Sequence, residues 1–136
     1  MARFETEQEV MDHVAVHMMQ QGKRAGRVAA DGGFCCEYIA DDGSRCAIGA
    51  CIENVAALAS YAGSVTGIRD ELPDIYRATF GEGVSLRLLQ TLQSSAHDTI
   101  PTRGDFKSIC AQRLKAICRK RGLTPPPVLK EASDAD

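Results

Sequence analysis

Apolar residues recur along the chain at two different periods. From Glu7 to Gln21 the residues Val10, Val14 and Met18 follow one another at i, i+4. Met11 and Ala15 widen the stripe, which predicts a helix with one buried face. Thr6-Glu7-Gln8-Glu9 has the spacing of a capping box, and its glutamates suit a helix N-terminus. Gly22 follows the last periodic residue and predicts a left-handed stop. Between 28 and 48 the period shortens. Phe34-Cys35-Cys36-Glu37-Tyr38-Ile39 partly alternates and Asp42-Gly43 is a tight-turn pair, so a hairpin with strands near 34–39 and 44–47 is expected. Helical spacing returns from Cys46 to Tyr61, where Ile48, Cys51, Ile52, Val55, Ala59 and Ala62 share a face.

Residues 63–83 are punctuated by Gly63, Gly67, Pro73, Gly81 and Gly83, which predicts a loop and one short helix around Asp74–Thr79. A helix from about Ser85 to Ala96 turns Leu88, Leu89 and Leu92 inward, and His97-Asp98-Thr99-Ile100-Pro101 breaks it. The last helix runs from about Asp105 to Arg121, with Phe106, Ile109, Cys110, Leu114, Ile117 and Cys118 on its apolar side. Gly122-Leu123 ends it, and Pro125-Pro126-Pro127 cannot continue it. The expected fold is α+β: four to five helices packed around a small two-stranded antiparallel hairpin. One domain spans 1–124, and a Pro-rich, then polar tail expected to be mobile spans 125–136.

Composition narrows the class. The chain has 136 residues, 44% hydrophobic and 25% charged, as in an ordinary globular domain rather than a disordered or fibrous one. No apolar run is long enough for a transmembrane helix. The opening MARFETEQEV is acidic and polar, unlike a secretory signal, so a cytoplasmic protein with reduced thiols is expected. Tryptophan is absent and aromatics are 5%, which argues against large base-stacking platforms.

Charge is unevenly spread. Residues 103–121 hold seven basic groups (Arg103, Lys107, Arg113, Lys115, Arg119, Lys120, Arg121) and one acid, +6, so the remainder is −8 for a net −2. Such a helix suits phosphate or an acidic protein surface; its bland reading is a solvated face beside an acidic body. No zinc-finger, RNP or helix-turn-helix pattern gives base-specific readout. Lys23 and Arg24 form a further basic pair after Gly22, suited to a simple anion contact but not to a P-loop.

Six cysteines and three histidines are the chemical candidates. Cys110 and Cys118 lie about 12 Å apart along a helix, too far for a disulfide. The pattern Cys35-Cys36, Cys46, Cys51 lacks a CxxC knuckle, so packing is the first reading, ahead of metal or disulfides. Cys36 and Cys46 flank the expected hairpin turn and would face each other across it. His13 and His17 share a helix face at i, i+4 without the HExxH signature. His97-Asp98 opens a loop and admits three readings: a general base serving a cysteine nucleophile, a partner contact, or a structural cap. The catalytic reading requires a pocket that brings a cysteine within hydrogen-bond reach of His97.

These residues also carry a resemblance. Gln21-Gly22-Lys23-Arg24-Ala25, Cys36-Glu37-Tyr38, Gly43 with Cys46-Ala47-Ile48-Gly49 and Ile52, and Leu92-Gln93 with His97-Asp98 resemble a family of small phage and prophage proteins of unassigned activity. The resemblance spans roughly 8–110. It departs after Gly49, where the family often continues Cys-Leu-Ile and this chain has Ala50-Cys51-Ile52. It implies an accessory protein of a phage or mobile element, in the cytoplasm of a bacterial host. Such proteins often bind and inhibit a host protein or ribonucleoprotein complex, including defence systems. The leading expectation is therefore a non-enzymatic binding protein without a cofactor, using Lys23, Arg24, Arg113, Lys115, Arg119 and Lys120, with His97 and Asp98 as further contacts. Alternatives are a nucleic-acid-binding regulatory module built on the basic helix, and a small Cys/His metal protein or enzyme.

Overall fold

Helix α1 spans Glu7–Gln21 and carries both halves of its capping box: the Thr6 side chain accepts from the Glu9 amide, and the Glu9 carboxylate accepts from the Thr6 amide. Gly22, at φ 69°, closes it by donating its N–H to the Met18 carbonyl. A computed structural model describes residues 2–28, 30–32, 34–59, 61, 63–101 and 105–129 of the chain. Within them the fold is α+β. Helices α2 (Val65–Glu71), α3 (Pro73–Thr79), α4 (Leu86–Gln93) and α5 (Phe106–Arg121) accompany α1 and one antiparallel pair, β1 (Gly26–Val28) and β2 (Phe34–Cys36). No described helix is long and apolar enough to cross a membrane.

α1 packs against α5 and against the turn at Gly49–Cys51; α2 lies on α3 and α4. The stripe Val10, Met11, Val14, Ala15 and Met18 is fully buried, together with Ile48, Leu88, Leu92, Leu114 and the thiols Cys46, Cys51, Cys110 and Cys118. Each large aliphatic side chain sequestered here contributes about 1.5–3 kcal/mol. All six cysteines are free thiols. Burial pushes Cys46 and Cys110 up to about 12, so both act as small apolar groups.

The hairpin lies one segment earlier than the alternation predicts. Cys36 pairs with Gly26, Cys35 with Arg27 and Phe34 with Val28. The Asp42-Gly43 turn does form, with Gly43 at φ 87° and the Ala40 amide donating to Ser44 O at 2.8 Å. Beyond it only Ile39 and Arg45 make an antiparallel bridge. The reason is a side chain. Gln21 accepts from the Arg45 amide (2.8 Å) and donates to the Arg45 carbonyl (2.9 Å), taking the place of a strand partner.

The helix expected over Cys46–Tyr61 is instead two short 3₁₀ turns, Gly49–Cys51 and Val55–Leu58, separated by Ile52 in extended conformation. The backbone passes too close to Tyr38 at Gly49 for a regular helix with side chains there. The region read as loop plus one helix holds two. Ser64 caps α2 by accepting from Gly67 N, and Pro73 occupies the first turn of α3, where its missing N–H costs nothing. Gly67 lies inside α2, where a β-carbon would fall 2.0 Å from the Tyr61 hydroxyl and the ring would have to turn aside. Pro126 and Leu129 are buried, so packed structure continues past 124 to Leu129. Residues 130–136 of the expected tail, and Ala62 and Arg103, lie outside the described residues.

One acid-sensitive contact comes with α1. His17 is half-buried, and its Nε2–H donates to Gln21 Oε1 at 2.9 Å. Burial lowers its pKa from the ordinary 6.5, against the opposing pull of its Gln21 bond. The unfolded chain therefore takes up this proton first. Stability from this group is complete above pH 6.5 and is lost as pH falls through 6.5 toward the lower folded value. His17→Gln is expected to flatten the fall in stability between pH 7.5 and 5.5, read as urea midpoints; equal slopes for both proteins would count against it.

Candidate functional site

The sequence motifs meet where α4 ends. Instead of stopping, the chain makes one wider π-helical turn over Ser94–Asp98, in which Thr99 donates to Ser94 O at 3.0 Å. The wider turn displaces the next carbonyls from regular partners, and α5 supplies substitutes. Arg113 Nη1 donates to Ser95 O (2.9 Å) and to Thr99 Oγ1 (2.8 Å), and the Cys110 thiol donates to Ala96 O (3.3 Å). His97 O accepts from the Ile100 amide at 3.2 Å. Every carbonyl of this turn from Ser94 to His97 therefore has a partner.

The turn points His97 inward, where it is 0% exposed, and leaves Asp98 at the rim. The Ala25 N–H lies 2.8 Å from His97 Nε2. A backbone amide only donates, so Nε2 carries the lone pair and the hydrogen sits on Nδ1. Nδ1–H then donates to Asp98 Oδ1 at 2.7 Å. Gln93 Nε2 donates to the same oxygen at 2.7 Å, while Gln93 Oε1 accepts from the Ile48 amide at 3.2 Å. Gln93, His97 and Asp98 thus tie together the residue after Arg24, the Cys46–Gly49 block and the end of α4.

Cys36 joins the same cluster. Its Sγ accepts from Arg24 Nη2 at 2.8 Å, and Arg24 Nη1 donates to Ile100 O at 2.9 Å. Sulfur, imidazole and carboxylate ligand atoms of Cys36, His97 and Asp98 lie within 4.8 Å of one another. Burial raises the Cys36 thiol above its ordinary range; the bond from Arg24 opposes this, and the Asp98 charge adds to it. The thiol is therefore protonated at neutral pH and is a poor nucleophile. The cluster has the membership of a nucleophilic triad without its working parts, since the Nε2 lone pair of His97 is spent on Ala25. Metal ligation meets the same obstacle. A metal on Nδ1 would move the ring hydrogen to Nε2, facing the Ala25 N–H donor-to-donor, and a metal on Nε2 would displace that amide.

Cys46 does not face Cys36 across a strand pair; it is buried, and its Sγ accepts from Gly49 N at 3.3 Å. His13 and His17 do not converge on one point either. His13 Nε2–H donates to Ala50 O at 2.8 Å, whereas His17 donates to Gln21.

The basic residues divide into two groups. Arg24 and Arg113 serve inside the fold as described, and Arg121 binds Glu7 Oε2 (3.0 Å) and Ser85 Oγ (2.8 Å). Burial would raise the Glu7 carboxyl, but the Ser85 and Arg121 bonds outweigh it and hold it low. Lys23 pairs with Asp42 at the surface. Lys115, Arg119 and Lys120 make no side-chain hydrogen bond or ion pair among the described residues, and Arg119 and Lys120 are exposed. No sequence signal separates these three from Arg113 and Arg121; only packing does. Gln93 enters the sequence reading only through the Leu92-Gln93 part of the resemblance; its bridge between Asp98 and the Ile48 amide is visible only in the structure.

Compared with protein-family models, curated proteins and solved structures, the chain matches none of them.

Proposed function

We propose that the chain is a non-enzymatic accessory protein of a phage or mobile element, acting in a bacterial cytoplasm by binding and inhibiting a host defence complex. Its contact surface is the outer side of α5. The observation that carries this reading is the uncommitted set Lys115, Arg119 and Lys120 on a helix whose other arginines are used internally. Lys115 and Arg119 are one turn apart, about 6 Å along the axis, so both address the same patch of a partner. Charged donors on such a face favour carboxylates or phosphates. The protonated Cys36 thiol and the His97 Nε2 lone pair already taken by the Ala25 amide support a binding role over catalysis. The resemblance of Cys36-Glu37-Tyr38 and Cys46-Ala47-Ile48-Gly49 to small phage proteins supports the source.

Expression of the chain in bacteria that restrict a test phage is expected to restore plating. Arg119→Glu with Lys120→Glu should abolish that rescue while leaving the urea midpoint within about 0.5 kcal/mol of the parent, as for surface substitutions generally. Equal rescue by the double variant would remove α5 as the contact surface. Absence of rescue by the parent chain across a panel of defence systems would remove the inhibitory role. Binding of duplex DNA or RNA that weakens steeply with salt would favour the nucleic-acid module instead.

A further inference from the structure

We infer that the cleft between the end of β2 and helix α4 with its π turn is a binding site for an organic cation, an ammonium or guanidinium group on a short stem. The cleft holds about 260 Å³, room for a small charged group rather than a drug-sized ligand. Its walls include Tyr38, Tyr61, Gln90 and Gln93, with two carboxylates, Glu37 and Asp98, and among the described residues no lysine or arginine lines it.

The Asp98 carboxylate is fixed before any ligand arrives. Its Oδ1 accepts from both His97 Nδ1 and Gln93 Nε2, each at 2.7 Å, and its side chain remains 38% exposed at the cleft. With Nε2 accepting from the Ala25 amide, His97 orients the carboxylate through its Nδ1–H. Among the described residues no lysine or arginine forms an ion pair with Asp98. Arg24 is not itself a lining residue; it donates to Ile100 O and to the Sγ of Cys36, which forms one end of the cleft wall.

The second carboxylate, Glu37, has its Oε2 3.7 Å from the exposed Arg27, a pair that solvent screens. Glu71, outside the lining, accepts from the Tyr61 hydroxyl at 3.0 Å and helps hold that ring. The rings of Tyr38 and Tyr61 lie 5.9 Å apart and tilted, offering aromatic edge and face to a cation's stem. Tyr38 cannot swing away, because its hydroxyl is bonded to Gly63 O at 2.8 Å. A rigid carboxylate, a second acid and aromatic walls select a cation and repel phosphates and carboxylates.

The test uses the full chain and agmatine, which carries one guanidinium and one ammonium. Agmatine titrated into the ¹⁵N-labelled protein is expected to shift the amides of Tyr38, Gln93, Ser94 and Asp98. Asp98→Asn keeps Oδ1 as acceptor for His97 and Gln93 while removing the charge, and should weaken binding at least tenfold. Should that variant melt early, Glu37→Gln serves instead, because Glu37 lies outside the His97 network, and a several-fold loss is expected. Comparing agmatine with N-acetyl-arginine methylamide distinguishes a free amine from a peptide side chain as the natural source, and preferential binding of either one supports the site. Three outcomes overturn it: no shift at millimolar agmatine, equal binding by variant and parent, or shifts spread over the acidic surface instead of the cleft. The site is separate from α5, so Arg119→Glu with Lys120→Glu should leave agmatine binding unchanged even if the anti-defence reading fails.

Discussion

Gly49→Ala is expected to lower stability by about 3 kcal/mol, the upper end for overpacking a tight core. A β-carbon at this position would lie 2.0 Å from the Tyr38 carbonyl oxygen and 2.9 Å from its carbonyl carbon. Both obstacles are backbone, so no side-chain rotation relieves the clash. Tyr38 is held in place from its other end, where the buried ring ends in a bond to Gly63 O. Gly49 is itself buried and anchored, its amide 3.3 Å from Cys46 Sγ. In urea the midpoint should fall by roughly 1.5 M, taking a slope of about 2 kcal/mol per M. Ala57→Ser, at an exposed position in the next turn, should change stability by less than about 0.5 kcal/mol. A Gly49→Ala midpoint as close to the parent as that of Ala57→Ser would show that the two segments do not touch as described. The contact also explains the Cys46-Ala47-Ile48-Gly49 block physically: four buried residues whose last member must lack a side chain.

Removal of the His97 ring is expected to cost about 3–5 kcal/mol. Of this, roughly 1–3 kcal/mol comes from leaving the buried Ala25 N–H without an acceptor. The rest, on the order of 2 kcal/mol, comes from the cavity left by a fully buried ring. Two substitutions separate this from a catalytic role. In His97→Gln the amide oxygen reaches about as far as Nε2 and can still accept from Ala25 N, so part of the loss should return. His97→Asn reaches only as far as Nδ1; it can serve Asp98 but not Ala25, and should resemble His97→Ala. Hydrogen exchange at the Ala25 amide should accelerate in the Ala and Asn variants and stay slower in the Gln variant. In the parent, ring ¹⁵N spectra should show the Nδ1–H form of His97. An Nε2–H form would reverse the whole bonding scheme around Ala25 and Asp98.

Elements whose signals are local were legible in advance. The α1 boundaries, its capping box and its Gly22 stop agree with the sequence reading, because helix period and caps involve residues three or four apart. The same holds for α5, where Asp105 accepts from Ser108 N and Gly122 adopts φ 70°. The hairpin lies one segment earlier than alternation predicts, because Gln21, more than twenty positions away, takes the hydrogen bonds that a strand at Arg45 would use. The Cys46–Tyr61 segment has helical spacing without forming a helix, because the close approach of Tyr38 is invisible to periodicity. Residues 63–83 look broken by glycine, yet Gly67 lies inside a helix, beneath the Tyr61 hydroxyl.

The site divides in the same way. His97-Asp98 stands out by residue type, and the catalytic reading requires a cysteine within hydrogen-bond reach of His97; Cys36 comes within 4.8 Å, but both ring nitrogens bond elsewhere, to Ala25 and Asp98. What the residues do there depends on Ala25, Gln93 and Arg24, whose bonds to His97, Asp98 and Cys36 come from packing and not from residue type.

The sequence by itself determined the helix periods, the caps, the α+β class and the +6 bias of the region ending in α5, since each follows from neighbouring residues or simple counting. Tertiary structure alone decided which cations are spent and which are available, which nitrogen of His97 holds its proton, and that Asp98 faces a cleft. Those outcomes depend on the direction of single hydrogen bonds between segments far apart in the chain, and no local pattern encodes a direction.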